Sequence, residues 1–182
     1  MCKQVPAGNE LDMDEPRCWH MVCYSVDSES GGRTPVGAIR IVTPPHPSHE
    51  EGPEKEPEGN YIKIGRLATV KEHRRRGIAR LLVDAAVKFA SENRHEVGCR
   101  NVQGHKIEGE WDGRILAQAQ TAVSGAWAKM GFVVDADMGE WIEEGEFTYL
   151  VMTRVYSNET ARNPSLWNVE ERLRRNSFGL NY

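Results

Sequence analysis

The chain has 182 residues, 39% of them apolar and 27% charged, and carries a formal net charge of −4. That length and mixture suit one globular domain with a full hydrophobic core and some polar connecting chain. A net acidic chain without a long basic stripe excludes nucleic acid as the expected partner, and the lack of a membrane-length apolar run or a signal-peptide core excludes a membrane one.

The stretch from Val5 to Glu15 is polar and acidic, too poor in apolar residues for a core element. Strands are predicted over Trp19–Val26 and Val36–Val42, with Ser30-Gly31-Gly32 as the turn chemistry of an antiparallel hairpin. Residues 43–60 are rich in proline and glutamate and read as a mobile loop. Within it, His46 and His49 have no partner cysteines, so no metal is expected. The four cysteines, Cys2, Cys18, Cys23 and Cys99, form no C-x-x-C pair. They read as free thiols of a reducing compartment, the cytoplasm or, as the other reading, the nucleus.

Tyr61–Val70 is the next predicted strand. Ile62 and Ile64 share one parity and Leu67 has the other, so the alternation slips at Gly65-Arg66. Either a β-bulge lies there or both faces of the strand are buried. A bulge would splay the strand from its neighbour and leave amides for an extended ligand arm to pair with.

A basic loop follows, His73-Arg74-Arg75-Arg76-Gly77, and then Ile78, Leu81, Leu82, Ala85, Ala86 and Phe89 mark one face of a helix over Ile78–Asn93. Three arginines at a helix N-terminus oppose its partial positive charge, and a bound phosphate would resolve the conflict. The alternative is a solvated basic loop. No G-K-S/T follows the glycine and no G-x-G-x-x-G is present, which excludes the common nucleotide-binding loops.

Residues Gly98–Gly113 read as polar connection. A strand over Ile115–Thr121, a short helix over Ala122–Met130 stopped by Gly131, and a strand from Phe132 follow. Trp141-Ile142 and Phe147–Val155 read as the last two edges of the sheet, with Glu143–Glu146 as the turn. Beyond Tyr156, Asn163 as N-cap, Pro164 and the pairs Glu170/Arg174 and Glu171/Arg175 describe a surface helix with Leu166, Trp167, Val169 and Leu173 to dock it. The expected organisation is one α/β domain over 1–156 and a tail over 157–182. Its sheet is mixed, mainly antiparallel and splayed near Gly65–Val70.

Arg74-Arg75-Arg76-Gly77-Ile78-Ala79 resembles the Q/R-x-x-G-x-G/A motif of the GNAT superfamily of acyl-CoA N-acyltransferases, and Gly65–Val70 resembles the strand leading into it. Ala119-Gln120, Trp127–Phe132, Trp141–Gly145 with Met152, and Val5–Asp12 resemble the "AQ", "FYxKxGF", "FxExG … M" and "VPxxxExD" segments of one branch. The resemblance implies that Leu67, Ala68, Thr69, Val70, Arg74, Arg75, Arg76, Gly77, Ile78, Ala79 and Arg80 hold coenzyme A, with the loop amides on its pyrophosphate. It implies acetyl-CoA as co-substrate, an amine of a small molecule or peptide as acceptor, and a monomer or homodimer. Three features depart from the branch. The family's first strand and helix precede the "VPxxxExD" stretch, and only four residues do so here. Trp127 stands where the family has a tyrosine proposed to protonate the departing thiolate, and an indole N–H is no substitute acid. The stretch Glu146–Tyr149 lacks the family's "IPH".

Amide formation from a thioester needs a neutral amine, donors for the developing oxyanion and a proton for the thiolate. The backbone amides of Ala68–Val70 are the expected donors. Glu143, Glu144 and His105 are candidates for general base by residue type alone. Gln120 would orient substrate or pair with backbone. Two readings follow: an active acetyltransferase, and an acyl-CoA-binding or interaction protein that kept the phosphate loop and lost the acceptor half.

Overall fold

A computed structural model describes residues 14–44, 46, 58–98, 101–102, 105–106, 109–143, 147–156 and 178–181. Ten strands and three helices are assigned among them. The strands are β1 (Cys18–Val26), β2 (Arg33–Val42), β3 (Ile62–Thr69), β4 (Asn101–Val102), β5 (His105–Lys106), β6 (Arg114–Gln120), β7 (Val133–Val134), β8 (Glu140–Glu143), β9 (Phe147–Val155) and β10 (Phe178–Asn181). The helices are α1 (Ile78–Glu92), α2 (Arg94–Gly98) and α3 (Ser124–Lys129). The main sheet runs β10-β1-β2-β3-β6-β9-β7, with β8 also on β9, and β4-β5 form a separate two-stranded sheet. Every ladder is antiparallel except β3–β6.

The periodicities read from the sequence explain the layers. On β1, Met21 and Cys23 point inward, and on α1 the stripe Ile78, Leu81, Leu82, Ala85 and Ala86 meets them in one buried cluster with Ile39, Ile41, Ile62, Ile115, Ala117 and Met152. Helix α1 covers β1, β2 and β3 on one face. The opposite face has a small cluster of its own, Tyr61, Leu116 and Val151.

The hairpin β1–β2 is longer than expected, because β2 begins at Arg33 and contains Pro35. The pairing passes from Cys23↔Gly37 to Tyr24↔Pro35, and the irregularity accommodates a residue that cannot donate to the ladder. Gly37 has a second role: a Cβ there would lie 2.9 Å from both Ala68 O and Ile78 Cγ2. The missing side chain therefore lets the first turn of α1 settle against the sheet.

Three expectations need correction. Phe147–Val155 is not an edge: β9 lies between β6 and the short strands β7 and β8. The outer edge on the far side is β10, which pairs with β1 and buries Phe178. The connection 98–113 is not purely polar loop either. It includes the β4–β5 backbone ladder and the fully buried Trp111, whose Nε1 donates to Arg114 O at 2.8 Å. Two-residue strands carry too short a pattern to be read from periodicity. The stretch 5–12, most of the proline- and glutamate-rich loop, the predicted tail helix over 163–175 and Glu144 lie outside the described residues.

Candidate active site

The predicted slip in β3 is a bulge. Arg40 pairs with Gly65 and Ala38 with Ala68, so Arg66 and Leu67 together oppose the single residue Ile39. Arg66 takes up the extra length with φ 50°, in the left-handed region. On the other side of β3 the parallel ladder runs Ile62↔Ile115, Lys63↔Leu116, Ile64↔Ala117 and stops. Gly65–Thr69 and Gln118–Gln120 continue without pairing to each other, which opens a cleft between the C-terminal ends of the two strands. In α/β sheets ligands bind outside such ends, where neighbouring connections diverge. Here β3 leads into α1 and β6 into α3.

The expected oxyanion donors are refined by the register. Val70 N–H donates to Val36 O at 2.9 Å, so it is already used. By antiparallel alternation the Ala68 peptide also faces β2, and the Thr69 peptide faces the cleft. Arg74 Nε reaches Thr69 O from that side at 3.3 Å.

The loop after β3 forms a 3-10 turn at Lys71–His73 and then presents Arg74, Arg75, Arg76 and Gly77, all exposed. Arg75 at φ 60° and Gly77 at φ 79° are left-handed on either side of Arg76. Such alternation turns successive amides toward one side, as in an anion-binding nest. Gly77 is the N-cap of α1 without a side-chain cap, and the first intrahelical bond is Leu81 N–H to Gly77 O. The N–H groups of Ile78, Ala79 and Arg80 precede that ladder and point out of the helix. A Cβ on Gly77 would meet no protein atom within 4 Å. The space above Gly77 is thus open to a closely approaching ligand, and the positive φ favours glycine there. Buried at the start of the loop, His73 Nδ1 has no hydrogen-bond partner among the described residues. An open cradle, an uncapped helix start and exposed guanidinium groups fit a phosphate-bearing ligand.

Arg80 is engaged elsewhere. Its Nη1 donates to Lys129 O at 2.9 Å, and its Nε lies 3.8 Å from Asp84 Oδ2. Trp127 is 7% exposed and packs edge-on against Phe132 inside the core. Gln120 pairs with a side chain and not with backbone: its Nε2 lies 3.2 Å from the Tyr149 hydroxyl, directly across the β6–β9 ladder. Gln118, Gln120 and Tyr149 have the parity of Leu116 and Val151, which puts them on the face opposite α1. Sequence reading missed Tyr149, whose only signal was its position in a β9 not yet registered against β6.

The base candidates stand apart from the opening. Glu143 is on β8 opposite Phe147, with β9 between β8 and β6. His105 is on β5 in the separate two-stranded sheet. His46 Nε2 lies 2.9 Å from Tyr61 O, and its ring stacks on Tyr61.

A mixed sheet opened at one parallel pair, with a basic loop and an uncapped helix at the opening, defines a single-domain α/β fold. The chain belongs to the GNAT acetyltransferase family: the model described as "Acetyltransferase (GNAT) family" matches residues 3–105. No curated protein matches the sequence. Among solved structures, a putative N-acetyltransferase from Lactobacillus plantarum is 18% identical with TM-score 0.52, over 83% of this chain and 78% of that one. The CoA-dependent acyl-homoserine lactone synthase BjaI is 16% identical with TM-score 0.60, over 94% of this chain and 71% of that one. These likenesses show a shared fold.

Proposed function

We propose that this protein transfers an acetyl group from acetyl-CoA to a primary amine of a small molecule or peptide by direct attack, in the cytoplasm or nucleus. The observation that carries the reading is the end of the β3–β6 ladder at Ile64 and Ala117 beside an anion-fitting loop. The loop amides, Arg75 and Arg76 would hold the pyrophosphate, while the Thr69 N–H would face the thioester carbonyl as it becomes an oxyanion. Because α1 covers one face of the sheet, the amine would approach from the other, where Gln118, Gln120 and Tyr149 stand. Attack forms the C–N bond and breaks the C–S bond, and the proton lost by the nitrogen ends on the departing sulfur. The free thiols of Cys18 and Cys23 support a reducing compartment.

One observation favours the second reading, an acyl-CoA-binding protein without turnover: Trp127 is committed to core packing, so its position supplies no acid. Calorimetry with coenzyme A and with pantetheine tests the shared part of both readings. Coenzyme A is expected to bind far more tightly, with an affinity that falls as salt rises. Equal affinities would reduce the arginine loop to solvated surface. Release of free thiol from acetyl-CoA in the presence of a panel of amines then separates enzyme from binder.

A further inference from the structure

Asp84 is a buried carboxylate on α1, 2% exposed, that the proposed chemistry does not use. Two arginines flank it. Arg80, one turn earlier on α1, places Nε 3.8 Å from Oδ2, and Arg154 from β9 places Nη1 3.7 Å from Oδ1. Both guanidinium groups also reach the C-terminal end of α3: Arg80 Nη1 donates to Lys129 O and Arg154 Nη1 to Met130 O, each at 2.9 Å. Unpaired carbonyls at a helix C-terminus favour cations, so the arginines cap α3 while Asp84 balances their charge.

This arrangement does little for α1 itself. Its i,i+4 pair has the basic residue N-terminal, the weaker order, and places a cation in the first helical turn. Desolvation by burial holds the Arg154 pKa below its ordinary value, Asp84 works against that, and Arg80 adds to it. A buried ion cluster of this kind is weak evidence of stabilisation and better evidence of a geometry being held. That geometry matters for the cleft. Helix α1 leaves β3 and α3 leaves β6, and Ile78, Trp127 and Met130 share one buried cluster, so the two helices stand on the same face at the opening between their strands. A ligand arm running from the N-terminus of α1 into the strand gap would lie beside both helices.

We propose that Asp84, through Arg80 and Arg154, sets the spacing of α3 from the first turn of α1, so that Arg80 is a positioning residue of the coenzyme A cleft and not a phosphate ligand. The inference rests on the coenzyme A reading above. It makes a prediction of opposite sign to simple electrostatics. Removing a carboxylate near an anion site should tighten anion binding, whereas loosening the α1–α3 spacing should weaken it.

The test is calorimetry of coenzyme A with the full chain, comparing the parent with Asp84→Asn and Arg80→Lys across a range of salt. Arg80→Lys keeps the charge and loses the fork that spans Lys129 O and Asp84. Its side chain is 54% exposed, so this variant will fold even if Asp84→Asn does not. Both variants are expected to bind coenzyme A about tenfold more weakly than the parent at every salt concentration, with the parent's salt slope. Tighter binding by Asp84→Asn would overturn the proposal and return Arg80 to the phosphates. A lowered melting temperature with unchanged affinity would also overturn it, leaving only a stabilising cluster. If the parent itself does not bind coenzyme A, the family-based reading fails and this inference falls with it.

Discussion

Ile64 and Ala117 are the last paired residues of the β3–β6 ladder, the one parallel ladder among the described strands. Everything proposed for this protein depends on the strands parting there. The bulge at Arg66 and Leu67 begins two residues further along β3, so the extra residue and the opening belong to the same local event.

Deleting Arg66 removes the extra residue. Gly65 still faces Arg40, and Leu67 then directly opposes Ile39 in regular alternation, keeping its side chain toward the core that it now packs against. The variant is expected to fold, and to lose coenzyme A affinity by at least about tenfold as β3 straightens toward β6. Circular dichroism and calorimetry on the same sample check this. Unchanged affinity would mean that the bulge does not shape the cleft.

Gly77 at φ 79° calls for glycine by conformation, with open space above it. Gly77→Ala and Gly77→Glu should each lower stability by roughly 1–2 kcal/mol, the cost of a left-handed residue with a Cβ. They should differ in binding. The methyl group intrudes on the anion cradle, and the carboxylate also repels its occupant, so Gly77→Glu should show no rise in melting temperature with coenzyme A. A parent-like rise in that variant would remove the phosphate-loop assignment.

Cys23 is fully buried, and burial pushes its thiol from the ordinary 9.0 up to about 11. The folded state therefore keeps its proton after the unfolded state has released one. Stability contributed by the neutral thiol is complete below about pH 9 and is lost as pH rises from about 9 to about 11, to the extent of roughly 3 kcal/mol at most. Urea unfolding of the parent and Cys23→Ala over that window should show a shallower alkaline decline in the variant. Parallel declines would assign the slope to other groups.

Tyr149→Phe removes the hydroxyl 3.2 Å from Gln120 Nε2 and leaves the β6–β9 ladder in place. If that pair serves the acceptor side, kcat/KM for the amine should fall about tenfold or more while coenzyme A affinity stays at the parent value. A change confined to coenzyme A affinity would place Tyr149 with the other ligand.

The local grammar of the chain was legible without coordinates. The stripe Ile78–Phe89 specified α1 and the parity slip between Ile64 and Leu67 pointed to the bulge, because each is a pattern among near neighbours. Other features depended on residues distant in sequence. Pairing of Val70 N–H with Val36 O, which turns Thr69 to the cleft, follows from the β2–β3 register. The resemblance assigns Arg80 to coenzyme A by its motif position, and its contacts with Lys129 O and Asp84 arise only because α3 comes to rest beside the first turn of α1. Gln120 and Tyr149 become neighbours only through the β6–β9 ladder. Periodicity determines which face of an element is buried. Which elements meet, and so which polar groups are used up and which remain for a ligand, is decided by the long-range pairing that the folded sheet sets.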